Sequence, residues 1–213
     1  MGLNNANRVQ NEVAAMYLAR KGLEKLKPGL EAVVPAVYTW QAGSLAADGL
    51  AWILMEYKTG VPLDGEFDSL SQTQRQDVIA QIADMLAGIQ RSELPPEVHS
   101  IGGLNIDQEG NVVSGEMTIV NGGPWKSYVE FWQAKFKTQL KDADESSALA
   151  GWKSNQIRER IDRFLATGVS EVLEKAGVDS SKRLLIHGDL CELCLQFVQF
   201  LSSFFFLFSY RHI

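Results

Sequence analysis

The stretch Arg183-Leu-Leu-Ile-His-Gly-Asp-Leu190 reads as a short, buried apolar strand ending in a carboxylate at a tight turn. Gly188 lets the backbone bend where a larger side chain would clash. An Asp held there can take the proton of a hydroxyl as it attacks a phosphoryl group, which makes Asp189 a candidate general base. The tripeptide alone decides nothing, because an Asp after a strand also serves as a helix cap or turn residue. His187, beside the apolar run, reads as a structural histidine rather than a proton shuttle. Two further places carry suitable groups. Glu12 lies on an N-terminal helix, where a solvated helix charge is an equal reading, and Glu56-Tyr57-Lys58 follows an apolar run that they could simply end. Cys191 and Cys194 spell C-x-x-C. A redox pair needs a thioredoxin-like βαβ setting and a structural zinc needs about four ligands, and neither context is present.

Helices and strands must position these groups. Val9, Val13, Met16 and Tyr17 recur at helical spacing, which predicts a first helix from Asn7 to a stop at Gly22. Val37–Ala42 and Leu50–Tyr57 are rich in aromatic and branched residues and flank a Gly/Ser/Ala/Asp loop, the pattern of a hairpin. The second strand is almost continuously apolar, which predicts burial on both faces. After a turn at 58–62, a long amphipathic helix is expected over Ser71–Arg91, with Val78, Ile79, Ile82, Met85, Leu86 and Ile89 on one face. Pro95-Pro96 closes that unit. A small hairpin is expected around Gln108-Glu-Gly110. Gly122-Gly-Pro124 is expected to launch a helix carrying Trp125 to Leu140, followed by helices at Ile157–Leu165 and Val169–Ala176, the last ended by Gly177.

This order resembles the aminoglycoside phosphotransferase (phosphotransferase enzyme) family, relatives of choline kinases with a protein-kinase-like fold. The resemblance covers about residues 7–190. It rests on LLIHGDL, then ILMEYKTGVPL (residues 53–63), then Ser100-Ile-Gly-Gly-Leu104, and is greatest to fungal members. It implies an α+β, protein-kinase-like architecture: a shortened N-lobe and hinge at 1–62, made of a helix and a hairpin, a mainly helical C-lobe at 63–190, and an atypical apolar tail at 191–213. It further implies Asp189 as catalytic base, His187 as the histidine of the catalytic loop, and the Glu56, Tyr57 and Lys58 backbone as the adenine-binding hinge. Glu12 matches the glutamate that pairs with a strand lysine on the phosphates. ATP and Mg²⁺ are the implied cofactors, and a small-molecule hydroxyl compound is the implied substrate.

The same resemblance shows what is missing. The match begins at the helix, so the Gly-rich loop and the strand lysine are not found, which reads as truncation at both ends. Cys194 stands where the pattern has a metal-binding Asn, and no Asp follows Asp189. With no metal ligand identified, the expectation is a kinase by ancestry that is inactive as written, or else a non-catalytic kinase-like binding module.

Composition narrows the partners. With 213 residues, 46% hydrophobic and 22% charged, the chain is long and apolar enough for a real core. A net charge of −6 argues against nucleic acid. The N-terminus shows no secretory pattern, so a cytoplasmic location is expected. Six of the ten Phe lie between Phe197 and Phe208, in an uncharged run from Leu193 to Tyr210. That run admits three readings: a membrane-inserting segment, a core helix or strand, or a segment foreign to the fold. The third is favoured, which predicts a tail with no settled partner.

Overall fold

The computed structural model describes residues 5–42, 51–117, 122–149, 151–179, 181–186, 195–200 and 203–208. Helices and small antiparallel sheets alternate along the chain, an α+β architecture. Two compact units form, one from residues 8–95 with 184–213 and the other from residues 1–7 with 96–183.

The first unit is built on α1 (Asn5–Leu26) and α3 (Gln72–Gln90), with the short α2 (Leu63–Glu66) between them in sequence. Met16, Ala19 and Leu23 of α1 meet Val78, Met85 and Ile89 of α3 in one core, closed by Val33, Val34 and Leu63. Contrary to expectation, α1 does not stop at Gly22. That glycine instead lets α3 approach, because a Cβ there would lie 2.9 Å from the Gly88 carbonyl oxygen and would overlap Ser92. Arg20 ties down the turn that follows α1, donating through Nη1 to the carbonyls of Glu31 (3.0 Å) and Val34. The α3 helix starts where its capping box predicts: Ser71 N–H donates to the Gln74 side chain at 2.9 Å, and Gln74 N–H to Ser71 Oγ. Ile82 packs against the core, but Ile79 of the expected stripe faces solvent.

The expected hairpin is present. β1 (Val37–Gln41) and β2 (Trp52–Met55) pair antiparallel, with Trp40 opposite Ile53 and Gln41 opposite Trp52. Burial of β2 on both faces is not found: Ile53 and Met55 pack on the core, while Leu54 is 55% exposed and Trp52 is also exposed. A two-stranded sheet has one packed face here, because no second layer among the described residues covers the other. Segment 182–186 likewise forms no strand. Leu185 packs on the core, but Leu184 and Ile186 are exposed, the latter by 66%, since no described strand lies beside them to take up their backbone groups.

The tail departs from expectation. β6 (Leu195–Phe200) and β7 (Ser203–Phe208) form an antiparallel hairpin, and β6 pairs with β3 (Val61–Pro62) through Val61 opposite Phe197 and Pro62 opposite Gln196. Phe and Val favour extended backbone, which suits the strands these residues form. No helix among the described residues is long and apolar enough to cross a membrane.

In the second unit, β4 (Gly103–Ile106) and β5 (Val112–Gly115) form the small hairpin, with Asp107 accepting from the Glu109 and Asn111 amides in its turn. Gly102 of the Ser100–Leu104 segment sits where a Cβ would lie 2.8 Å from the Gly115 carbonyl oxygen. The glycine there serves backbone packing. The next helix, α4 (Tyr128–Glu145), starts later than expected, because Ser127 rather than the Gly122–Pro124 run caps it, accepting from Glu130 N–H at 3.2 Å. α5 (Ile157–Arg163), a π-helical turn (Phe164–Gly168) and α6 (Val169–Lys175) continue as one helical rod ending before Gly177. Leu140, Leu165 and Val169 are its core, edged by Trp132, Phe136 and Ile161.

Candidate functional site

Four of the residues singled out in the sequence can be placed, and all belong to the first unit. Glu12 lies on α1 with only 7% of its surface exposed. Its carboxylate meets Arg8 one turn earlier, Nε to Oε1 at 2.8 Å. A buried carboxylate requires a cation, and here the same helix supplies it. The solvated-charge reading of Glu12 is therefore overturned.

Glu56 follows β2 and closes the base of the hairpin. Its N–H donates to the Ala36 carbonyl at 2.7 Å, and its Oε2 accepts from the Ala36 N–H at 3.1 Å. Lys58 reaches back to Oε1 at 2.6 Å, with only 9% of its side chain exposed. The Lys58 ammonium first, then the Ala36 amide, hold the Glu56 carboxyl below its usual range despite the opposing effect of burial. Both carboxylate oxygens are therefore engaged and the group is ionised. It is a structural clasp and no reservoir for a proton. Tyr57 is 84% exposed, its ring standing clear of the clasp.

The structure thus joins Glu56 to Lys58 and leaves Glu12 with Arg8, apart from them. Neither the Glu56 carbonyl nor the Lys58 amide is engaged by another described backbone group. His187 and Asp189 lie outside the described residues, as do Cys191 and Cys194. Among the described residues, no three His, Cys, Asp or Glu side chains gather where they could hold a metal ion.

Two partners escaped the reading of the sequence. Arg8 could have been found from its spacing of four to Glu12, the separation at which helical side chains meet. Ala36 could not, because it acts through its backbone, and nothing in an alanine announces that.

The chain belongs to the phosphotransferase enzyme family, which it matches over residues 4–192. Comparison with curated proteins and with solved structures gives no match.

Proposed function

We propose that the chain is a phosphotransferase scaffold of protein-kinase-like ancestry, with residues 1–62 in its nucleotide lobe and 63–190 as its helical lobe. In this reading the backbone of Glu56–Lys58 binds the adenine of ATP, and Asp189, steadied by His187, takes the proton of a small-molecule hydroxyl. The observation that carries the reading is the family match over residues 4–192.

Magnesium would supply the charge neutralisation that phosphoryl transfer depends on. The donor set does not fit it: Cys194 replaces the Asn implied by the family pattern, and magnesium takes hard oxygen donors in preference to a soft sulfur. We therefore read transfer by this chain as negligible. A non-catalytic binding module is the second reading, favoured by the Arg8–Glu12 pair: the carboxylate implied to orient a phosphate-binding lysine is already matched within its own helix.

The test is transfer of labelled γ-phosphate from ATP with magnesium, over a panel of aminoglycosides, choline and sugars, alongside ATP binding with and without the metal. The expected result is nucleotide binding without turnover. Turnover that Asp189→Ala abolishes would overturn the inactive reading, and absence of nucleotide binding would overturn the hinge assignment.

A further inference from the structure

We propose that the cleft between α4 and the 157–168 rod binds a small organic anion, an apolar body bearing one carboxylate, phosphate or sulfonate group. The inference is independent of phosphoryl transfer and concerns the second unit alone. The cleft encloses about 430 Å³, within the range that small-molecule sites occupy.

Its floor is apolar. Leu140 and Leu165, both core residues, and Ala166 form it, so a hydrocarbon or ring body would lose water on entry. One wall is built by the π-helical turn. Such a turn shifts the backbone ladder, and Gln133 on the facing helix donates through Nε2 to the Leu165 carbonyl at 2.8 Å. This hydrogen bond ties the two walls together at one end and fixes the width of the opening.

Charge selects the ligand. Two carboxylates line the cleft, and both are already matched. Arg158 binds Asp162 through Nε at 3.1 Å and Asp144 through Nη1 at 2.5 Å, while Lys153 adds a second contact to Asp144 at 2.8 Å. The Asp144 carboxyl accordingly sits below its usual range, held first by Lys153 and then by Arg158. The positive charge left over is on α4. Lys137 makes no ion pair with a described residue, and Lys141 has only a 4.0 Å contact with Glu145. Both line the cleft, one helical turn apart. An apolar floor beside two lightly engaged ammonium groups favours an anionic amphiphile over a cation or a neutral compound.

The probe is naphthalene-1-sulfonate, titrated calorimetrically into the full chain at low ionic strength, with neutral 1-naphthalenemethanol as comparison. One site is expected, weakened by added salt and preferring the sulfonate. Lys137→Gln with Lys141→Gln should weaken sulfonate binding about tenfold and leave the alcohol unchanged, a loss of about 1.4 kcal/mol. Ala166→Trp should block both compounds by filling the exposed floor while keeping every charge. Lys175→Gln, on α6 outside the cleft lining, should change nothing. Circular dichroism checks that each variant is folded. The proposal falls if no saturable binding occurs, if sulfonate and alcohol bind alike, or if the folded double Gln variant binds the sulfonate as the original chain does.

Discussion

Glu12 and Glu56 are both carboxylates near the first core, yet their settings give them different tests. Glu12 is buried and paired to Arg8, whose own side chain is about a quarter exposed. Removing the cation leaves a buried charge unmatched, whereas removing the charge leaves a neutral amide that still hydrogen-bonds. Arg8→Met should therefore destabilise the chain by about 1–3 kcal/mol and Glu12→Gln by less, as read by urea denaturation. Equal costs would show that the pair contributes only as an exposed helical contact. Glu56 calls for a pH experiment. Its carboxyl lies below the ordinary value of 4.5 in the folded chain, so the clasp's stability is complete above that value and is lost as pH falls through the folded pKa. Glu56→Gln should lower the melting temperature above about pH 5, by an amount that shrinks as pH falls below the ordinary carboxylate value and vanishes below the folded pKa. With the side chain about a third exposed, the effect should stay below about 1 kcal/mol. At this scale the sequence is informative about which residues carry charge and poor on what they touch. Spacing places Arg8 beside Glu12, but nothing marks Ala36 as the partner of Glu56, because a backbone amide has no sequence signature.

Among the elements, α1 and α3 show where local rules prevail and where packing overrides them. Ser71 and Gln74 start α3 as a capping box should, a local device readable from four residues. Gly22 by the same local logic ends α1, yet the helix runs on to Leu26. Its glycine is spent on contact with α3, a tertiary requirement invisible along the chain. Gly22→Ala gains helix propensity of about 1 kcal/mol. It also drives a methyl group against the Gly88 carbonyl, at a cost of about 1–3 kcal/mol for overpacking. The net expectation is destabilisation by up to about 2 kcal/mol, measured by thermal melting. Ser92 makes the test sharper. Among the described residues its buried hydroxyl has no hydrogen-bond partner, so Ser92→Ala should be neutral or stabilising and should recover part of the loss in the double variant. Additive effects would show that Gly22 and Ser92 do not share the contact. The β2 strand teaches a similar lesson: an almost unbroken apolar run predicts two-sided burial, but a hairpin with one covered face leaves Leu54 and Trp52 in water.

For the whole molecule, the averages in the composition conceal an uneven distribution of apolar residues, and the last 23 residues concentrate it. The hairpin they form has a six-position ladder of its own and, among the described residues, meets the rest of its sheet at two positions, Val61 and Pro62. Pro62 has no N–H to contribute to that ladder, so the hydrogen-bonded attachment is thin, and the hairpin's other neighbours include α3 and the Leu30–Val33 turn. Among the described strands the far one, β7, is the edge of the sheet, and its sequence Ser203-Phe-Phe-Phe-Leu-Phe208 has no charge and no proline to discourage pairing with a second chain. Self-association through this edge should therefore dominate the solution behaviour of the chain. The core of the same unit is formed by residues outside the hairpin, from Met16 to Ile89, with Leu185 at its margin. Deleting residues 191–213 should accordingly raise the soluble, monomeric fraction in size-exclusion chromatography and leave the helical circular-dichroism signal intact. The deletion removes two ladder positions with β3 and the seat of β7 beside α3 and the Leu30–Val33 turn, a smaller share of the unit than a core in which Leu23 and Val78 are fully buried. If the truncated chain instead loses its cooperative melting transition, the hairpin is a structural part of the first unit and its edge is covered by its own fold.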